Sequence, residues 1–154
     1  MKLNLSALKK MNIGRDNPYV PILQKLSLFE GVDSFLIDSL ISQCPMQSFD
    51  RGDMILSEGD ESNGKAYVII SGEVDIFMGG KKISSLREGT IFGEYALICG
   101  DKRSATVRVA SPLQCIIFDE SDIMRISDET NKLGDILTQR ITENIEAQRG
   151  IFIG

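Results

Sequence analysis

No histidine occurs anywhere in this chain of 154 residues. That absence removes Ser-His and Cys-His nucleophilic catalysis, and with them the His-rich metal sites of cupin-type barrels. Positive charge is short as well. With 17 Lys and Arg against 22 Asp and Glu, the net charge is −5 and the pI near 4.8, so the basic footprint of a phosphate-backbone binder is missing. Nucleic acid is not an expected partner. Cysteine is scarce: Cys44, Cys99 and Cys115 are odd in number and widely spaced, which fits neither a disulfide framework nor paired CxxC knuckles. No metal site is expected. No apolar run approaches the roughly 20 residues of a membrane-spanning helix, and "MKLNLSALKKMNIG" lacks the apolar core and small-residue cleavage site of a signal peptide. These absences predict a cytoplasmic protein without a membrane partner. No Asp or Glu pair sits in an apolar setting that would push two pKa values apart, so the expected activity is not enzymatic.

What is present reads as one domain, since a chain of this length buries about 70% of its unfolded surface around a single core. Gly14 to Pro21 is the expected junction between an N-terminal extension, residues 1–25, and the domain proper, residues 26–150. Asp33 or Ser34 can cap a helix on which Leu36 and Leu40, and Ile37 and Ile41, recur four apart, ending near Pro45. From Phe49 the pattern turns to short apolar runs split by glycine: "MIL", "AYVII" and "EVDIFM", then "SATVRVA" and, after Pro112, "LQCIIF". Gly79-Gly80 takes the central positions of a tight hairpin, where positive φ is required, so the strands on either side pair antiparallel. Many short strands between turn signals predict a sandwich or small barrel. After Phe118, "DESDIMRI" opens with a capping-box pattern, and Leu133, Leu137, Ile141 and Ile145 recur every four residues up to Gly150. That stripe is first a core-facing helix face, and only secondarily a homodimer seam or a moving lid.

The densest chemistry lies in "IFGEYALICGDKRSATVRV", Ile91 to Val109. Phe92 and Gly93 close a strand, and "EYALI" suffices for one helical turn whose first amides would face outward, an arrangement that binds anions. Arg103, one loop later, can close on the same anion with two parallel hydrogen bonds, which lysine cannot supply. Glu94 is negative and would avoid the anion, accepting hydrogen bonds from neighbouring hydroxyls instead. A phosphate with an adjacent ribose hydroxyl satisfies both residues.

At these residues the chain resembles the cyclic nucleotide-binding domain family of kinase regulatory subunits, gated channels and bacterial catabolite activators. "FGEYALICGDKRSATV" is similar to that family's phosphate-binding cassette, roughly F-G-E-x-A-L-x(5)-R-x-A, and "RGDMILSEGD" with "AYVIISGEVDIF" resembles its two upstream glycine-marked strands. The resemblance covers about Leu26 to Gln148. It implies an α+β fold: an antiparallel β-roll or jelly-roll barrel of about eight strands, flanked by N- and C-terminal helices, with a short phosphate-binding helix. It implies that Gly93 and the amides of Ala96 and Leu97 approach the cyclic phosphate, that Arg103 neutralises it, and that Glu94 holds the ribose 2′-hydroxyl. Ala105 would add a backbone amide and allow close approach. Leu97 would pass ligand arrival to the C-terminal helices. Ser104 stands where family members that favour cyclic GMP often carry a hydroxyl, although bacterial activators and some channels that respond to cyclic AMP carry Ser or Thr there too. The sequence departs from the family at Tyr95, usually a smaller aliphatic residue, at Lys102, proline in many kinase members, and at Ala66, commonly aromatic.

Bland readings stand beside these. An Arg103–Glu94 ion pair could be a structural clasp without ligand. Gly59 and Gly72 read as turn residues, Arg51-Gly52-Asp53 as a turn before a strand, and Cys99 as an inert thiol. Lys9-Lys10-Met11-Asn12 matches a basic pseudosubstrate poorly. The expected function is that of a cytoplasmic sensor for cyclic AMP, with cyclic GMP as second ligand, no other cofactor, and an effector protein or fused effector domain as partner. The competing expectations are a ligand-independent dimerisation or docking module, and the regulatory part of a cyclic-nucleotide-dependent kinase.

Overall fold

The computed structural model describes residues 17–98, 102–127 and 132–151, with 147–151 described for the backbone alone. Lys9 to Asn12, the first three residues of the expected Gly14–Pro21 junction, and Cys99 lie outside the described residues. In chain order the elements are α1 (Val20–Gln24), a 3-10 turn (Ser27–Phe29), α2 (Ser34–Ile41), β1 (Met46–Phe49), β2 (Met54–Leu56), β3 (Lys65–Met78) and β4 (Lys81–Arg87). There follow β5 (Ile91–Phe92), a second 3-10 turn (Glu94–Leu97), β6 (Thr106–Asp119), α3 (Glu120–Ile126) and α4 (Leu133–Ile151).

The helix starts follow from local chemistry. Asp33 caps α2 by accepting a hydrogen bond from the Phe35 amide at 2.9 Å. At α3 a full capping box forms: the Asp119 carboxylate accepts from the Asp122 amide, and the Asp122 carboxylate accepts from the Asp119 amide. Gly79 and Gly80 turn the β3–β4 hairpin with φ of 58° and 80°, as the sequence requires.

The sheet is antiparallel throughout and flanked by helices, with six strands among the described residues rather than about eight, and it does not close. The smaller count has a physical reason. "AYVII" and "EVDIFM" are one continuous strand, β3, and "SATVRVA" and "LQCIIF" are one strand, β6; each runs 14 residues. The two pair along their length and bend together where the register shifts, between Ile69 and Val74. On one side of the bend this pair is flanked by β1 and β5, on the other by β2 and β4. Two strands thus do the work that four would do in a flat sandwich.

Gly72 sits at the bend with φ +96°, and a Cβ there would lie 2.3 Å from the Pro112 carbonyl oxygen and 2.9 Å from Leu113 Cα. It is a point of backbone contact inside the sheet rather than a simple turn. Gly59, by contrast, has open space around it at φ +87° and is a turn residue.

Residues Ala66 to Ile70 are buried on both faces of β3, which explains why this run shows no polar alternation. Ala66, Val68 and Ile70 pack against the helices with Leu23, Phe29, Ile37, Leu97, Phe118, Leu133, Leu137 and Ile141. Tyr67 and Ile69 face the roll interior with Val74, Phe92, Val107, Leu113 and Cys115. Val20 and Leu23 of α1 belong to the helical cluster, so part of the expected N-terminal extension packs into the core. The stripe Leu133, Leu137 and Ile141 is likewise spent on this chain's own interior. Among the described residues no helix is long and apolar enough to cross a membrane.

Gly72→Ala must push two backbones apart as well as hold an unfavourable φ, and should cost at least about 2 kcal/mol of stability. Gly59→Ala carries the φ penalty alone, about 1 kcal/mol. Urea unfolding of both variants checks this; equal losses would remove the close approach as the reason for Gly72.

Candidate functional site

Gly93 ends β5 with φ +77° and starts the 3-10 turn that carries Glu94, Tyr95, Ala96 and Leu97. A Cβ at Gly93 would lie 3.0 Å from the Lys65 carbonyl oxygen and 3.1 Å from Nη1 of Arg103. The absent side chain is therefore what lets the guanidinium lie against the turn.

Arg103 reaches this place from the loop before β6, and its backbone is fixed first. The Gly59 amide donates to the Arg103 carbonyl at 2.8 Å, and the Arg103 amide donates to the Asp60 carbonyl at 2.8 Å. Two further bonds steady the same bracket: the Glu58 amide donates to Thr106 Oγ1, and the Gly79 amide to the Glu58 carboxylate. The side chain then runs inward, 9% exposed. Nη1 donates to the Gly93 carbonyl at 3.2 Å; Nη2 donates to the Lys65 carbonyl at 3.1 Å and to Asn63 Oδ1. Nε is buried and has no partner. Burial pushes the guanidinium below its ordinary pKa, with Tyr67 and Glu94 acting in the opposite sense; it remains a cation, because arginine does not deprotonate in proteins.

Glu94 does not clasp Arg103. The ion pairs among the described residues are Lys82–Asp75, Arg87–Glu73 and Arg125–Asp122. Desolvation raises the Glu94 carboxyl above its ordinary pKa, and its own backbone amide and the Arg103 charge offset only part of this. One cation and one carboxylate are thus held desolvated in the same place without a direct pairing, which is a common signature of a functional site.

Both residues line a cavity of about 390 Å³ together with Gly93, Ala96, Ser104 and Ala105. Leu56, Ile76, Leu86 and Val107 supply apolar walls, Ser62 and Ser84 hydroxyls, and Ile145 of α4 reaches in from the C-terminal helix. A larger open groove of about 580 Å³ lies beside Phe29, Val32 and Phe35, away from this chemistry.

The structure gathers Gly93, Glu94, Ala96, Arg103, Ser104 and Ala105 around one cavity. Leu97 points elsewhere, into the helical core beside Leu133, Leu137 and Ile141. The Ala96 amide donates to the Gly93 carbonyl at 3.2 Å, so it is occupied within the turn rather than free. Asn63 and Tyr67 are additions that pattern reading missed: Asn63 Nδ2 donates to the Tyr67 hydroxyl at 3.0 Å, and the Tyr67 ring stacks on Phe92 at 4.9 Å between centroids. Only the turn-forming pair Asn63-Gly64 marked the first of these in the sequence.

A cAMP-dependent protein kinase regulatory subunit of Candida albicans is 27% identical across 97% of this chain and 33% of its own length. A cGMP-dependent protein kinase of Plasmodium berghei is 28% identical across 78% of this chain and 16% of its own. The chain thus spans about a third or less of the length of these relatives. Among solved structures, the regulatory subunit of a cAMP-independent protein kinase A from Trypanosoma brucei superposes with a TM-score of 0.64 at 27% identity, over 70% of this chain and 39% of that one. The family model for the cyclic nucleotide-binding domain matches residues 46–130. That span carries both long strands, the Gly93 turn and Arg103, and by this match the chain belongs to the cyclic nucleotide-binding domain family.

Proposed function

We propose that this chain senses cyclic AMP or cyclic GMP in the cytoplasm and has no catalytic activity of its own. The observation that carries this reading is the buried Arg103 guanidinium, which belongs to the lining of a cavity of ligand size and whose Nε lacks an acceptor. A cyclic phosphate would take the unpaired donor, and Gly93 and Ala105 leave room for it to approach. Glu94, desolvated and poor in donors, would accept the ribose 2′-hydroxyl, and Ser104 lies within reach of phosphate or base. The apolar walls suit a purine face.

The output follows from Leu97 and Ile145. Leu97 is in the ligand turn yet buried among residues of α4, and Ile145 of α4 lines the cavity. A ligand that shifts the turn must therefore shift the bed on which α4 lies, and it meets α4 directly. Movement of that helix would be read by an effector protein or a fused effector domain; the relatives make a kinase catalytic subunit the leading candidate. A second reading has one observation in its favour: three Arg103 donors already hold protein acceptors, as a docking module without ligand would require.

A thermal-shift measurement separates the two. Cyclic AMP at about 100 times its dissociation constant should add roughly 2.7 kcal/mol, several degrees for this domain, while linear 5′-AMP does much less. Arg103→Ala should lower affinity roughly a hundredfold, about 3 kcal/mol, with Arg103→Lys recovering only part. No shift with either cyclic nucleotide at millimolar concentration would favour the docking module.

Glu94 gives a ligand-free test. Its folded pKa is raised, so the ionised carboxylate costs stability; that cost is absent below the unfolded carboxyl value of 4.5 and grows as pH rises above it. Glu94→Gln should therefore be more stable than wild type at neutral pH, with the advantage fading toward pH 4.5, while binding a ribonucleotide less well. Chemical denaturation across that pH range is the measurement, and a variant less stable at neutral pH would contradict the desolvated carboxylate.

Base preference rests on Ser104, which is exposed at the cavity rim. Both nucleotides should bind, with a modest preference for cyclic AMP, because a hydroxyl left unpaired by adenine at an exposed position is satisfied by water. Competition binding decides. A preference for cyclic GMP beyond about tenfold that disappears in Ser104→Ala would make this serine the base-reading residue and reverse the order.

A further inference from the structure

We infer that Lys102 is the capture residue of the anion site: an exposed cation at the cavity that speeds the arrival of an anionic ligand and takes no part in holding it. The need for one follows from charge. The chain carries −5 overall. The loop that grips the Arg103 backbone through Gly59 and Asp60 exposes the acidic residues Glu58, Asp60 and Glu61. A phosphate approaching Arg103 from solvent therefore meets a field that repels it.

Arg103 does little against that repulsion at long range. It is 9% exposed, and its Nη1 and Nη2 already donate to the carbonyls of Gly93 and Lys65 and to Asn63. The Glu94 carboxylate belongs to the same lining and offsets the guanidinium charge for an ion still outside. Lys102 is the third charged residue of the lining, and the only exposed one. It takes no part in the ion pairs among the described residues, which are Lys82–Asp75, Arg87–Glu73 and Arg125–Asp122. With Lys102 the lining carries a surplus of positive charge; without it the buried pair of opposite charges cancel.

The chemistry of the two cations divides their work. A lysine ammonium is a hydrated point charge on a flexible stem, with no planar fork to fix a phosphate by two parallel bonds. At an exposed position its contact with a bound anion adds little to affinity. Its attraction still reaches across solvent, over about 30 Å at 0.01 M salt and about 3 Å at 1 M. Lys102 thus acts on the rate of arrival, and Arg103, desolvated and in contact, on the rate of escape.

This inference rests on the reading of Arg103 as the ligand-phosphate site, and stopped-flow association of a fluorescently labelled cyclic AMP with the full chain tests it. At about 0.01 M salt, Lys102→Gln should lower kon about threefold and Lys102→Glu about tenfold, with koff changed by less than about twofold. Lys102→Arg keeps the charge and should keep the wild-type kon. All of these differences should vanish near about 1 M salt. Arg103→Gln should show its loss in koff instead. An unchanged kon in Lys102→Gln at low salt, or a Lys102→Arg variant as slow as Lys102→Gln, overturns the inference. So does a loss in Lys102→Gln that lies in koff, which would make Lys102 a contact of the bound ligand. Wild-type protein that binds neither cyclic nucleotide overturns the ligand reading and the inference together, whereas binding with a kon indifferent to residue 102 overturns the inference alone.

Discussion

The local architecture depends on burying one positive charge. Removing a guanidinium from water costs several kcal/mol unless acceptors replace its hydration, and here they are drawn from three places in the sequence. Lys65 at the start of β3 and Gly93 after β5 offer carbonyls, and Asn63 offers its amide oxygen. The turn at Gly59 and Asp60 grips the Arg103 backbone from the other side. Without Arg103, the Gly93 and Lys65 carbonyls would lose their guanidinium donors and the Asn63 amide oxygen would lose one of its two. The satisfaction is incomplete, because Nε remains unpaired. A scaffold that assembles acceptors from across the sheet and still leaves Nε without one would, on the proposed reading, receive it from a ligand.

How such a site could be heard elsewhere is a matter of where β3 lies. Its residues alternate between two cores, Tyr67 and Ile69 toward the roll, Ala66, Val68 and Ile70 toward the helices. The turn Glu94–Leu97 repeats that division in four residues: Glu94 and Ala96 line the cavity while Leu97 is buried among α4 side chains. Interiors packed at crystal-like density transmit small displacements rather than absorb them. Arg140 of α4 donates to the Leu28 carbonyl at 2.8 Å, and Arg125 of α3 donates to the carbonyls of Ser39 and Leu40, so the C-terminal helices are tied to the N-terminal ones by charged hydrogen bonds as well as by the core they share.

What the sequence disclosed, and what it withheld, divides along the range of the interaction. The Asp33 cap, the Asp119–Asp122 box, the Gly79-Gly80 hairpin and the helical stripe from Leu133 each depend on residues within four or so positions, and each could be read directly. The cassette residues were legible because their types and spacing match one family. The strand count was not, since Gly72 reads as a break until Pro112 is known to press against it from β6. Asn63 was invisible for the same reason: its role is defined by a residue 40 positions on. The Ala96 amide is not free, because a 3-10 turn closes its hydrogen bonds one residue sooner than an α-helix, and so spends an amide that α geometry would leave exposed.

The electrostatic state of the empty site narrows what would satisfy it. Arg103 and Glu94 are both desolvated, and burial disfavours the charged form of each. Had they paired within 4 Å they would have neutralised one another, and the site would be content without a ligand. Kept apart, they present separate demands. An inorganic anion answers Arg103 and worsens the position of Glu94, whereas a neutral sugar answers Glu94 and leaves Arg103 unpaired. A molecule with an anionic oxygen and a hydroxyl donor held rigidly side by side answers both, and ring closure between phosphate and ribose fixes that spacing before binding, so less entropy is lost on capture. On the proposed reading, the separation of the two charges would itself be a recognition element for a cyclic nucleotide.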